Sequence, residues 1–320
     1  MSAVRAATVG VRPRAGTGSA YRLTDRLGLG LAWFFGLLFC AIAAAIVIYF
    51  FIEGIRFLSP SLLFSNPVPG VSESQTGGFL DPMLGTFIIG AMSMAIAVPV
   101  GVAIAVWLSE FGRPTALARV AESAIEMLAG EPAVVLALFG LTLFELHALG
   151  FLSQITNGVV LGQSFFAAAA LLSLMGLPMV VANTREGLQA IPSHVREASY
   201  ALGKTKIATT RRVLLPTARP SVITGSMLGL GRVIGDTAIV LLLLGGTLTF
   251  QSANSVPVLG LLRGTGDTLT GYIYYNAPTG DGNQPDKAYA AAFVLMLMVL
   301  ALNVGVELVV NRSRRAVRWS

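Results

Sequence analysis

The chain has 320 residues, of which 54% are hydrophobic and only 12% charged, with a mean hydropathy of +0.74 and a net charge of +6. A soluble domain carries about a quarter charged residues, so this composition excludes an ordinary water-solvated globule and makes a bilayer the natural solvent. A single cysteine, Cys40, and two distant histidines, His147 and His194, exclude a disulfide framework and a Cys- or His-rich metal site.

The N-terminal stretch up to Arg26 holds five arginines among small residues and has no apolar core with a cleavage site, so it reads as a basic cytoplasmic tail rather than a cleaved signal peptide. Six apolar segments are then long enough to cross a bilayer, which takes about 20 residues each. They are predicted at Leu29–Ile52, Met83–Leu108, Ala124–Phe144, Phe165–Ala182, Ser221–Leu244 and Ala288–Val310. Pro99, Pro132 and Pro178 fall inside spans and are expected to kink them, which a bundle tolerates where neighbours satisfy the freed carbonyls. Residues 1–28 are expected as a cytoplasmic tail, 29–311 as the membrane domain, and 312–320 as a second cytoplasmic tail. The segment 245–287, rich in Gly, Thr, Asn and Pro, is expected as an outer loop with a short re-entrant or amphipathic piece.

Orientation follows from the basic residues, which favour the cytoplasmic side. With the N-terminus inside, 18 of the 22 lysines and arginines fall on cytoplasmic segments. Only Arg56, Arg263 and Lys287 fall outside, and Arg232 lies within the fifth span. Both termini are therefore expected inside. The positive charge is accounted for without nucleic acid, because it faces anionic lipid and cytoplasmic partners.

The loop at about 183–220 is the longest cytoplasmic connection. Ser193 is expected to N-cap a short helix with Arg196 and Glu197 in its first turn, and Gly203 to end it in a left-handed conformation. A second helix through Arg211 and Arg212 is expected to stop at Pro216 and Pro220. A short capped helix outside the membrane is shaped to dock in a partner's groove. Gly203–Lys204–Thr205 imitates the end of a phosphate-binding P-loop, but the required earlier glycine is Ala198 and no strand precedes it. ATP hydrolysis is thus expected on a separate subunit, with no cofactor in this chain.

In the fifth span, Gly225, Gly229, Arg232 and Asp236 fall within an arc of roughly 60° on a helix. The glycines allow close helix contact, and Arg232 and Asp236 are spaced to pair. An ionisable residue at this depth is costly and faces a bundle interior or an aqueous cavity. The residues alone allow two readings: an arginine that contacts an anion in the pathway, or a structural ion pair locking helices. Glu126 and Glu131, in the third span, are expected to pair with the basic loop.

Glu197, Ala198, Ser199, Gly203, Val213, Leu215 and Pro216 resemble, with spacing intact, the EAA signature of ABC importer permeases. The resemblance implies the all-α, six-helix fold of type I (MetI-like) importer permeases and a coupling helix seated in a cytoplasmic ATPase. Gly231–Arg232–Val233–Ile234–Gly235–Asp236–Thr237–Ala238 is similar to the Arg-x-x-Gly-Glu-Thr-Ala segment of phosphate-specific permeases, with a shorter Asp where that family has Glu. Met127–Val135 resembles the same family's Leu-Ala-Gly-Ile-Pro-Ser-Val-Val segment, with Glu131 and Ala133 as departures. Gly77–Gly78, Thr237–Ala238 and the Lys287–Ala290 to Asn303 ending favour the PstA branch over the PstC branch.

These resemblances imply phosphate as cargo and place Arg232, Asp236 and Thr237 on its pathway. They also imply a PstC-like second permease, a PstB-like ATPase dimer and a PstS-like extracytoplasmic binding protein, in a bacterial inner membrane. Sulfate, molybdate or phosphonate would also suit Arg232. An ion-coupled secondary transporter is the reading from another class, for which the halves offer no obvious repeat.

Overall fold

In a computed structural model of the chain, the described residues are 23–66, 77–112, 115–146, 148–153, 155–156, 159–246, 260, 262–280 and 284–317. The basic residues before Arg22, His147 and much of the outer segment after Gly246 lie outside them. The described chain is helical throughout, apart from a two-residue antiparallel pairing of Ile155–Thr156 (β1) with Val159–Val160 (β2).

The residues up to Tyr49 form one compact unit and those from Phe50 a second. The described part of the first is the start of helix α1, Leu23–Phe57, which is apolar on all sides, as suits a helix solvated by lipid. In the second unit, Phe51 stacks edge-on against Phe293 at 5.3 Å, and the short helix α2, Pro60–Phe64, follows.

Four of the six expected spans are single helices long and apolar enough to cross a membrane. These are α1, α3 (Leu80–Val106), α6 (Phe165–Gln189) and α12 (Pro285–Val317). Of the most apolar stretch, 72% is buried in α6 against 28% in the second span and 22% in the sixth, so α6 is the centre around which the second unit is built. Pro99 and Pro178 sit inside α3 and α6, which run through them without interruption.

The close packing uses small residues. A Cβ at Gly225 would lie 2.9 Å from the Met179 carbonyl oxygen, and one at Gly229 would lie 3.1 Å from that of Gly176. Gly101 meets Val180 and Gly140 meets Leu171 in the same way. In lipid, burying apolar surface between helices brings little hydrophobic gain, so close backbone approach and van der Waals contact are what join these helices.

The expected third span is corrected. It is two helices, α4 (Ala116–Gly130) and α5 (Ala133–Glu145), bent by 107° at Glu131–Pro132. The cause is local: Pro132 disfavours helical geometry at Glu131, which is extended with ψ 135, and Gly130 is a weak helix former. The fifth span is corrected too. Helix α9, Leu215–Ile234, ends at Gly235, and a separate helix α10, Ala238–Leu243, starts after Thr237. Asp and Thr side chains compete for backbone groups and favour helix ends over interiors, and here the Asp236 Oδ1 accepts the Ile239 N–H at 2.8 Å.

The expected stop at Pro216 and Pro220 is not seen. Helix α8, Lys206–Thr209, passes through a wide π turn, Thr210–Leu214, directly into α9. The π turn shifts the bonding pattern by one residue, and Pro216, which has no N–H to give, lies just beyond that shift in the first turn of α9.

Candidate functional site

Two groups of residues stand out, one at the loop between the fourth and fifth spans and one at the break in the fifth span. The loop begins where α6 ends. Helix α7 spans Ser193–Ala201. Ser193 is already helical and Pro192 occupies the cap position with φ −60, so the expected serine cap is replaced by a proline that pre-sets the turn. The C-terminal end matches expectation: Gly203 has φ +75. Its N–H donates to the Tyr200 carbonyl at 2.9 Å, and the Lys204 N–H reaches back to the Ser199 carbonyl at 3.3 Å. That pair of bonds is a Schellman cap.

Helical spacing then sorts the signature residues by face. Val195 and Ser199, four apart, point inward. Val195 packs against Leu188, Ile191, Leu214 and Ala218, and the Ser199 hydroxyl bonds that of Thr209 at 2.9 Å, pinning α7 to α8. Glu197 and Ala198 face solvent, together with Tyr200, Leu202 at 80% exposure and Ile207 at 70%. Gly203 and Pro216 are exposed as well. The outward face is thus a carboxylate beside an aliphatic and aromatic surface, which a groove could cover.

Arg196 was not singled out by its sequence, being one of seven basic residues in the loop. Its Nη1 donates to the Ile191 carbonyl at 2.7 Å and its Nη2 to that of Leu188 at 2.8 Å. Nη2 and Nε also donate to Glu110 Oε1, at 2.9 and 3.3 Å. Glu110 lies in a π turn, Trp107–Phe111, that extends α3. Arg185 on α6 pairs with Glu122 on α4 at 2.7 Å. The carboxylates that meet basic side chains here are therefore Glu110 and Glu122. Glu126 and Glu131, the expected partners, form no ion pair among the described residues. The missed signal was a carboxylate at the C-terminal end of the second span, in Leu108–Ser109–Glu110–Phe111.

At the break, Gly225 and Gly229 face α6 while Arg232, in the last turn of α9, is exposed. Asp236 is half-buried and lies past the end of the helix; the Arg232 charge still acts on its carboxylate, but the two form no ion pair among the described residues. Its carboxylate caps α10 instead. Thr237 is half-buried at the start of α10 and makes no side-chain cap.

The break is held from outside by helix α11, Leu269–Asn276, in the connection between the fifth and sixth spans. The Thr270 hydroxyl donates to the Asp236 carbonyl at 3.1 Å. The Thr86 hydroxyl accepts the Leu269 N–H and donates to the Pro82 carbonyl, both at 2.8 Å. Asp267, just before α11, is 3% exposed and accepts the Thr268 N–H at 2.7 Å. Burial pushes its carboxyl from an ordinary 3.8 up to about 7.

The chain is thus a helical bundle broken in its fifth span, with a capped helix on the loop between the fourth and fifth spans. Residues 97–319 match the family described as binding-protein-dependent transport system inner membrane component. The chain belongs to that family: it is a multi-pass permease subunit and not an enzyme, and such subunits work with a binding protein and a separate ATPase.

The phosphate transport system permease protein PstA 1 of Mycobacterium tuberculosis (strain H37Rv) is 34% identical over 256 residues, 79% of this chain and 77% of that one. The phosphate transport system permease protein PstC of Xylella fastidiosa (strain 9a5c) is 31% identical over 261 residues, 77% of this chain and 75% of that one. A chain in the crystal structure of a bacterial alginate ABC transporter in complex with alginate pentasaccharide-bound periplasmic protein aligns over 88% of this chain and 93% of its own. Its TM-score is 0.58 at 16% identity. That likeness concerns the fold alone, the expected one of type I ABC importer permeases.

Proposed function

We propose that this chain is the PstA-like permease of an ATP-driven importer that brings inorganic phosphate into a bacterial cytoplasm. The observation carrying the reading is the 34% identity to a phosphate permease over 79% of the chain. The arginine-bearing segment at the break in the fifth span agrees with it. Arg232 is exposed there, beside a helix break rather than inside a satisfied ion pair. A planar guanidinium suits the oxygens of a phosphate-like anion. Asp236 holds the start of α10, and Thr237 supplies a hydroxyl beside it.

The partners in this reading are a PstC-like permease, a PstB-like ATPase dimer that binds the ATP, and a PstS-like binding protein. Both termini are cytoplasmic, so the loop with Glu197, Ala198, Ser199, Gly203 and Pro216 faces the ATPase. Closure of the ATPase on ATP pushes α7 and switches the pathway from inward- to outward-facing, ready for loaded binding protein.

The test is uptake of labelled phosphate by phosphate-starved cells carrying the intact chain, Arg232→Ala or Arg232→Lys. Loss of one charge-assisted contact of about 1.5–3 kcal/mol predicts a fall of roughly ten- to a hundredfold in Arg232→Ala. The lysine variant retains the charge and is expected to recover part of the uptake. Full uptake by the alanine variant would remove Arg232 from the pathway.

A further inference from the structure

The contacts beneath the exposed face of α7 converge on one side chain. Arg196 donates to Glu110 at the end of α3 and to the Leu188 and Ile191 carbonyls at the end of α6. Its backbone belongs to α7. One guanidinium therefore joins the loop helix to the cytoplasmic ends of the second and fourth spans. The carbonyls it meets lie in the last turn of α6 and two residues past its end, where the helix dipole also favours a cation. Glu110 is only 6% exposed at its side chain and Arg196 22%, so the pair is shielded from solvent screening.

A second cation repeats the pattern one residue along. Lys206 of α8 lies over the Phe111 ring at 5.0 Å. Consecutive residues of the π turn thus receive one cation from each loop helix. Such single wide turns recur at functional positions in helices.

We propose that Arg196 and Glu110 are the positioning residues that transmit movement of the ATPase-docked helix into the second and fourth spans. The clamp makes α7 and those span ends one body, so force on α7 moves the spans rather than bending the loop. The planar, multi-donor fork of arginine holds a carboxylate and two carbonyls at once. This rests on the importer reading, since without an ATPase there is no movement to transmit.

The test uses the complete importer, with second permease, ATPase and loaded binding protein, in proteoliposomes. The quantity read is phosphate moved per ATP hydrolysed by the assembled complex. A merely structural loss lowers both rates together by removing folded complex and leaves the ratio unchanged. Glu110→Gln and Arg196→Gln are each expected to lower the ratio about tenfold, and the double variant no further, because the two act through one another. Arg196→Lys is expected to fall between the wild type and Arg196→Gln.

An unchanged ratio in both single variants would overturn the proposal, as would a double variant whose loss is the product of the two. Should Glu110→Gln fail to assemble, Glu110→Asp, which retains the charge at shorter reach, is read in its place against the same expectation. The wild-type arm separates the two failures. ATP hydrolysis without phosphate uptake there defeats the phosphate reading on which the measured ratio rests, whereas normal wild-type uptake with an unchanged ratio in the variants defeats the clamp alone.

Discussion

Gly203 and Gly271 both require glycine, for opposite reasons. At Gly203 the space around a Cβ is open but φ is +75, so the cost of a side chain is conformational. A left-handed residue other than Gly or Asn costs roughly 1–2 kcal/mol. Gly203→Asn is therefore expected to retain uptake and Gly203→Val to lose much of it while the spans stay folded; equal uptake by both variants would show that the cap does not matter. At Gly271 the backbone is unstrained, but a Cβ would collide with the Asp267 carboxylate. Gly271→Ala is expected to lower the melting temperature of the detergent-purified protein, and Asp267→Ala in the same chain to relieve the collision. Asp267 itself carries a pH signature. With its carboxyl raised by burial to about 7, the folded state holds this proton more tightly than the unfolded chain does. The stabilisation is fully present below the unfolded value of 3.8 and is lost as pH rises through about 7. Thermal melts at about pH 5 and pH 8 should thus converge in Asp267→Asn relative to the wild type; an unaltered gap would place the titration on another group.

At the level of helices, α9 on α6 is the contact that the glycines make possible. Gly229 lies against the Gly176 carbonyl at a distance that leaves no room for a larger side chain. Gly229→Leu is expected to separate the helices and lower both melting temperature and yield of folded protein in detergent, with Gly231→Leu, where nothing lies within 4 Å, as the tolerated control. An equal loss in both variants would show that the effect is not one of helix contact. This contact was readable in the sequence, because small residues four apart on an apolar helix point to it. The first, second, fourth and sixth spans were readable too, since each is one long apolar run. The third and fifth were not, because average hydropathy passes over a break. Their breaks carry local signals all the same: Gly130–Glu131–Pro132 in one and Gly235–Asp236–Thr237 in the other combine helix-disfavouring residues with a charge. The two π turns carry no such signal. Neither Trp107–Phe111 nor Thr210–Leu214 contains a glycine or proline, and their widening becomes evident only where the packed chain places Glu110 and Leu214.

For the whole molecule, composition and hydropathy were enough to place the chain in a bilayer, and the loop signature was enough to place it among importer permeases. The geometry around Arg232 was less legible. Arg232 and Asp236 suggest an ion pair by their spacing, but the helix ends between them and Asp236 turns to cap α10. Stability in lipid rests on small-residue contacts and satisfied backbone groups more than on apolar burial, so the helix break at Gly235–Thr237 must be braced, here by α11 and Thr86. The central claim is that this chain carries phosphate. It is tested most directly by labelled phosphate uptake in phosphate-starved cells with and without the chain, with excess sulfate or molybdate as competitor. High-affinity uptake is expected to disappear without the chain and, with it, to resist both competitors. Undiminished phosphate uptake in cells lacking the chain, or uptake abolished by either competitor, would contradict it.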